Sequence, residues 1–157
     1  MSSKPIVLVS SEGEKFTTDE SVAVQCKTIH HLIEDGCADS DIPVHNVTGK
    51  ILSKVIEYCE KHAKSPNNTD DDQTDEELKA FDAGFYDFVN DQKTAFDIML
   101  AANYLDNKSL LELGCKKVAE SVKGLTTRDI RKLYRIRNDF TPEEEAKVQE
   151  ENAWSFD

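Results

Sequence analysis

The chain has 157 residues, 38% hydrophobic and 32% charged, with 31 acidic against 19 basic side chains and a net charge of −12. That length allows one domain with a core plus an appendage, and a field of that sign works against nucleic acid and anionic membrane while steering basic partners inward. No apolar run approaches the length of a membrane span or a signal-peptide core, so the expected compartment is reducing, cytosolic or nuclear, with all four cysteines as small buried residues.

The N-terminal stretch PIVLVSSEGEKFTT predicts a strand, a turn at Glu12-Gly13 and a second strand. DESVAVQCKTIHHLIEDG predicts one or two short helices, with Asp19 and Thr28 as N-caps and Gly36 as the stop. DIPVH offers a short strand, and Pro43 marks it as an edge. TGKILSKVIEYCEKHAK predicts the first long helix, with Ile51, Leu52, Val55, Ile56 and Cys59 on one face. Residues 65–77 then hold six acids and no base or apolar residue, which predicts a mobile, disordered acidic loop. LKAFDAGFYDFV is a short aromatic-rich segment. TAFDIMLAANYL and SLLELGCKKVAESVKG predict two apolar helices, the second with a stripe of Leu111, Cys115, Val118 and Val122 and a stop at Gly124.

The last part has a different character. Residues 123–137 carry six bases and one acid and predict a short basic helix. The next helix has a strong start signal: Thr141 as cap, Pro142 in the first turn and Glu144 to complete a capping box. It holds little apolar material, only Ala146, Val148 and Ala153 before Trp154 and Phe156. A helix that polar gains little from packing on its own core. Residues 1–125 therefore read as a domain and 126–157 as an appendage. Covering Trp154 with a partner would remove about 150–250 Å² from water. The competing expectation is that Trp154 folds back on the chain's own core.

Residue chemistry excludes more than it offers. In the acidic loop no glycine or glutamate falls where a calcium loop needs them. Cys26 and His30, and Cys59 and His62, have helical ligand spacing, but no CxxC pair exists. They read as core cysteines beside surface histidines, with no metal. Gly49-Lys50 lacks the earlier glycine and the hydroxyl residue of a phosphate loop. No GxSxG is present and no nucleophile is marked out, so no enzyme is expected. The basic helix could meet phosphate, but pairing with the acidic last helix is the simpler expectation. A binding module remains.

ILSKVIEYCEKH, LAANYL, VKG, NDFTPEEE and ENAW, in that order, resemble the family of S-phase kinase-associated protein 1 over nearly the whole chain, and the AWSFD ending suits a plant-like paralogue. Members of that family are adaptor subunits of SCF-type ubiquitin ligases. The resemblance implies an α/β (α+β) fold. Residues 1–125 would form a BTB/POZ-type domain with a small three-stranded sheet and helices, and 126–157 a C-terminal two-helix extension that binds an F-box. It implies a non-catalytic adaptor that bridges a cullin scaffold to interchangeable F-box proteins for ubiquitin-dependent degradation, in nucleus and cytoplasm. No cofactor, nucleic acid, membrane or small-molecule ligand of its own is implied. By resemblance, Asn103, Tyr104 and Phe96 contact the cullin. Leu111, Cys115, Val118, Ile130, Ile136, Asn138, Phe140 and Trp154 contact the F-box. One alternative is an F-box partner or chaperone acting without a cullin. Another, an elongin C-like relative, lacks the extension that NDFTPEEEAKVQEENAW supplies here.

The chain departs from the family pattern at Val89-Asn90-Asp91, at Gly114 where threonine is common, and in the basic residues Arg128, Lys132, Arg135 and Arg137. Gly114 is expected to cost about 0.5–1 kcal/mol relative to alanine and to loosen the groove. The basic residues are expected to alter partner preference.

Overall fold

The expected N-terminal hairpin forms as β1 (Pro5–Val9) and β2 (Lys15–Asp19), antiparallel, with Pro5 opposite Asp19 and Val9 opposite Lys15. This computed structural model describes residues 4–64 and 72–155, with side chains from residue 75 onward in the second stretch. The hairpin turn closes where Gly13 takes a positive φ of 84° and its N–H donates to the Ser10 carbonyl at 3.0 Å. In β1, Ile6 and Leu8 alternate inward and are buried, as the two-residue period of a strand requires. β3 (Ile42–Pro43) runs parallel to β1, with Ile42 opposite Leu8. Among the described residues the sheet has the order β2-β1-β3, which puts Pro43 on an edge, where its missing donor breaks no ladder.

The chain divides into two units, 1–121 and 122–157, a few residues before the expected boundary. In the first, α1 (Glu20–Ala23) follows Asp19, and α2 (Lys27–Glu34) stops at Gly36 with φ 74°. Thr28 does not cap α2. Cys26 holds that position, and the Thr28 hydroxyl donates instead to the Tyr104 carbonyl at 3.3 Å. α3 (Gly49–Ala63) buries Ile51, Leu52, Val55, Tyr58 and Cys59. It packs on α5 (Gln92–Tyr104), whose inward residues Ala95, Ile98, Ala101 and Ala102 are mostly small and let the two helices approach closely. α6 (Lys108–Val122) buries Leu110 and Gly114. Fully burying side chains such as Leu52, Ile98, Leu105 and Leu110 contributes about 1.5–3 kcal/mol each.

Three expectations need correction. Residues 72–77 are not a loop: they form the first turns of α4 (Asp72–Phe85). The rest of the expected loop, 65–71, lies outside the described residues. Lys79 pairs with Asp75 one turn earlier at 2.8 Å. Acids in the first turns suit the helix dipole. Further along, the Phe81 and Phe85 rings lie 5.4 Å apart, and Phe85 packs at the same distance on Tyr58. His62, read as a surface histidine, is half-buried. Its ring lies 4.1 Å from that of Tyr58 and its Nε2 is 2.9 Å from Asp82 Oδ1. The third correction concerns cysteines. Cys26 and Cys59 are buried, but Cys37 and Cys115 are exposed.

In the second unit, α7 (Thr127–Tyr134) starts with a capping box between Thr126 and Asp129, and α8 (Pro142–Glu151) with the expected one between Thr141 and Glu144. A 3-10 turn at Ala153–Ser155 carries Trp154. α7 ends without a glycine. Arg135 takes a left-handed conformation at φ 55°, and the N–H of Ile136 donates to the Arg131 carbonyl at 2.8 Å. That pattern is a Schellman motif with arginine in the usual glycine position. Neither α7 nor α8 contains a buried residue.

Candidate interaction surfaces

The first surface is the outward face of α5. Phe96, Leu100, Asn103 and Tyr104 recur at helical spacing opposite the buried alanines. Leu100 is 67% exposed, and Phe96 and Tyr104 are each 38% exposed. The structure thus brings Phe96, Asn103 and Tyr104 onto one face. It adds Leu100, which the sequence reading passed over although its spacing from Phe96 and Tyr104 gave the signal. The start of α5 is fixed by Asp91, whose carboxylate accepts the Thr94 N–H at 3.2 Å. Hydrogen bonds from Thr94, side chain first and backbone second, hold the Asp91 carboxyl below its usual range. The divergent Val89-Asn90-Asp91 stretch is organised by Asp87, which accepts the Asn90 N–H at 2.9 Å and the Val89 N–H at 3.1 Å. This turn leaves Val89 exposed. Beside it the rings of Phe88 and Phe96 meet edge to face at 5.1 Å.

On α6, Leu111 and Val118 are half-buried and Cys115 is exposed. The buried positions are Leu110 and Gly114, one residue off the expected stripe. Gly114 is buried on the inner side of α6. A Cβ there would fall 2.7 Å from Met99 Cγ and 3.1 Å from Tyr86 Cζ, so the missing side chain permits close packing. Tyr86 secures the same place by donating its hydroxyl to the Leu110 carbonyl at 2.9 Å. Asn107, ahead of α6, is a buried polar residue that the sequence reading missed. Its Oδ1 accepts the Leu110 N–H at 3.1 Å, and its Nδ2 donates to Cys59 Sγ at 3.4 Å. The Cys59 thiol is pushed up from its ordinary value, first by its hydrogen bond with Cys26 and then by burial.

The second surface belongs to the unit 122–157. A groove of about 1030 Å³ is lined by residues that include Phe140, Pro142 and Val148. Trp154 is 78% exposed, Ile136 55% and Phe140 44%. Among the described residues of its own unit, Trp154 is therefore left largely uncovered. Ile130 is half-buried on α7. Asn138 is a positioning group: its Nδ2 donates to Glu145 Oε2 at 3.3 Å, and its Oδ1 accepts the Phe140 N–H at 3.2 Å. Arg131 meets Glu145 at 3.5 Å and lies over the Phe140 ring at 5.8 Å, so the expected pairing of basic and acidic helices occurs at that position. Among the described residues, no group of three or more histidine, cysteine or acidic side chains could hold a metal, and no helix is long and apolar enough to cross a membrane.

A three-stranded sheet with a helical layer, followed by two self-capped helices that expose their apolar side chains, defines a POZ-type mixed α/β protein with a helical extension. The chain belongs to the Skp1 family. Residues 4–64 match the Skp1 family tetramerisation domain, and residues 108–155 match the Skp1 family dimerisation domain. α4 and α5 lie between the two matches, but similarity to whole relatives spans them. SKP1-like protein 13 of Arabidopsis thaliana is 51% identical over 155 residues, covering 99% of each chain. SKP1-like protein 1A of the same plant is 48% identical over 162 residues, covering 100% of each. SKP1-like protein 1 of Oryza sativa subsp. japonica is 50% identical over 169 residues, covering 98% of this chain and 96% of its own.

Proposed function

We propose that the chain is a non-catalytic adaptor of an SCF-type ubiquitin ligase, joining a cullin scaffold to interchangeable F-box proteins in nucleus and cytoplasm. Membership of the Skp1 family supports the adaptor role. The bridging reading is carried by two exposed apolar faces built from different elements, Phe96, Leu100 and Tyr104 on α5, and Ile136, Phe140, Val148 and Trp154 in the terminal unit. Clustered apolar exposure of this kind marks interaction surfaces. The α5 face takes the cullin, with Asn103 as its polar group. The F-box is met by Leu111, Cys115 and Val118 on α6. It is also met by Ile130, Ile136, Asn138, Phe140 and Trp154 in the terminal unit.

The test is reconstitution. The full chain is mixed with one F-box protein and one cullin N-terminal domain and run on a sizing column. A ternary peak is expected. A binary peak with the F-box protein alone would overturn the cullin half and favour a partner that works without a cullin. Failure to bind the F-box protein would overturn the whole reading.

A further inference from the structure

Residues 123–137 carry six bases against one acid in a chain whose net charge is −12. The structure gathers some of them around one hollow. Beside the groove of the terminal unit lies a cleft of about 440 Å³, lined by Arg128, Arg131, Lys132, Ile136, Asn138 and Glu145. Arg128, Arg131 and Glu145 also line the groove, so the two hollows share those side chains.

The single carboxylate of the cleft is already engaged. Glu145 meets Arg131 at 3.5 Å and accepts from Asn138 at 3.3 Å. Asp129 accepts the Thr126 hydroxyl at 2.7 Å and also feels the charges of Lys132 and Arg128, but it does not line the cleft. The cleft's own lining, Arg128, Arg131 and Lys132 against Glu145, still carries more positive than negative charge. Ile136, 55% exposed, lines the same cleft just after the left-handed turn at Arg135. The cleft combines an apolar seat with surrounding cations.

We infer that this cleft recognises an acidic side chain adjacent to an apolar anchor on the F-box segment, and so favours acidic segments among the F-box partners. The inference rests on the F-box reading above. The net charge of the whole chain disfavours an acidic partner at a distance, but salt screens that field beyond about 8–10 Å. Recognition therefore falls to contacts inside the cleft. Guanidinium groups suit this role, because their fixed fork matches a carboxylate.

The probe is a synthetic F-box segment that carries acidic side chains, together with the same segment in which Asp and Glu are replaced by Asn and Gln. Affinities for the full-length chain are measured at low and high salt. R128E/K132E is expected to weaken binding of the acidic segment about tenfold at low salt, with a smaller loss at high salt and little change for the amide segment. R128Q/K132Q, which adds no repulsion, should fall between. If wild type binds the acidic segment and both variants bind it equally well, the inference is overturned while the F-box reading stands. If wild type binds neither segment, both fail together. If a single-stranded oligonucleotide binds wild type but not R128E/K132E, and F-box affinity is unaltered, the cleft serves nucleic acid instead and the inference is overturned.

Discussion

The backbone N–H of Gly49 donates to the carboxylate of Glu12, 3.0 Å away and 37 residues earlier in the chain. Thr48, in the N-cap position of α3, makes no side-chain cap bond. The hairpin turn therefore caps α3 from outside the helix. The carboxylate of Glu14 also lies close to Gly49, in the space a Cβ would take. A glycine that the sequence could only compare with a phosphate loop instead admits two acids to a helix start, where the dipole favours them.

Replacing Glu12 with alanine should lower stability by about 1 kcal/mol, the usual worth of a helix cap. Glu12→Gln keeps an acceptor and should lose less. Thermal unfolding of the two variants checks both the size and the order of these effects.

Asn107 both caps α6 and fills buried space beside Cys26 and Cys59. Asn107→Ala should cost about 2–3 kcal/mol, combining a lost cap with unsatisfied buried groups. The urea midpoint should fall with an unchanged slope, since the exposed area on unfolding is the same. Asn107→Leu should not restore the loss, because leucine cannot accept the Leu110 N–H.

Acid should release the start of α5. The Asp91 carboxyl lies below its ordinary value of 3.8 in the folded chain. The unfolded chain therefore binds this proton first as pH falls, and stability present above 3.8 is lost as pH drops through the folded value. Asp91→Asn cannot titrate there. The melting-temperature gap between wild type and Asp91→Asn should be largest near neutral pH and shrink below pH 3.8.

Much of this was legible because it is locally written. Thr141, Pro142 and Glu144 announce α8, and Gly36 and Gly124 mark left-handed stops by their lack of a side chain. What stayed hidden depends on partners distant in sequence or on exceptions to local rules. Glu12 capping Gly49 and Met99 lying against Gly114 are tertiary facts. Helix ends at Asp106 and Arg135 use left-handed residues that are not glycine, so the usual stop signal is missing. The acids at 72–77 read as loop because composition weighs them alone, whereas Lys79 and the aromatic residues beyond it belong to the same helix. The face formed by Phe96, Asn103 and Tyr104 came from family resemblance. Leu100 needed the exposure of the folded helix to be noticed.

On that face, Leu100→Arg should abolish or strongly weaken cullin binding while shifting stability by no more than about 0.5 kcal/mol, the usual range for an exposed position. Asn103→Lys with Tyr104→Lys should do the same. F-box binding should survive in both variants. A sizing-column profile that loses both partners at once would contradict the assignment of two surfaces.

Trp154→Ala should leave the melting temperature unchanged, since the side chain is 78% exposed. F-box affinity should fall by about 2 kcal/mol or more, as removal of an aromatic anchor typically does. Calorimetry of the same preparation gives both readings. A fall in melting temperature without a fall in affinity would make the tryptophan structural.

Since α7 and α8 bury no residue and are started by their own side chains, the terminal unit places few demands on which apolar groups stand at 136, 140, 148 and 154. Changes there alter whom the chain meets more readily than whether it folds. A duplicated copy could therefore acquire new acquaintances one side chain at a time while its scaffold keeps the same shape.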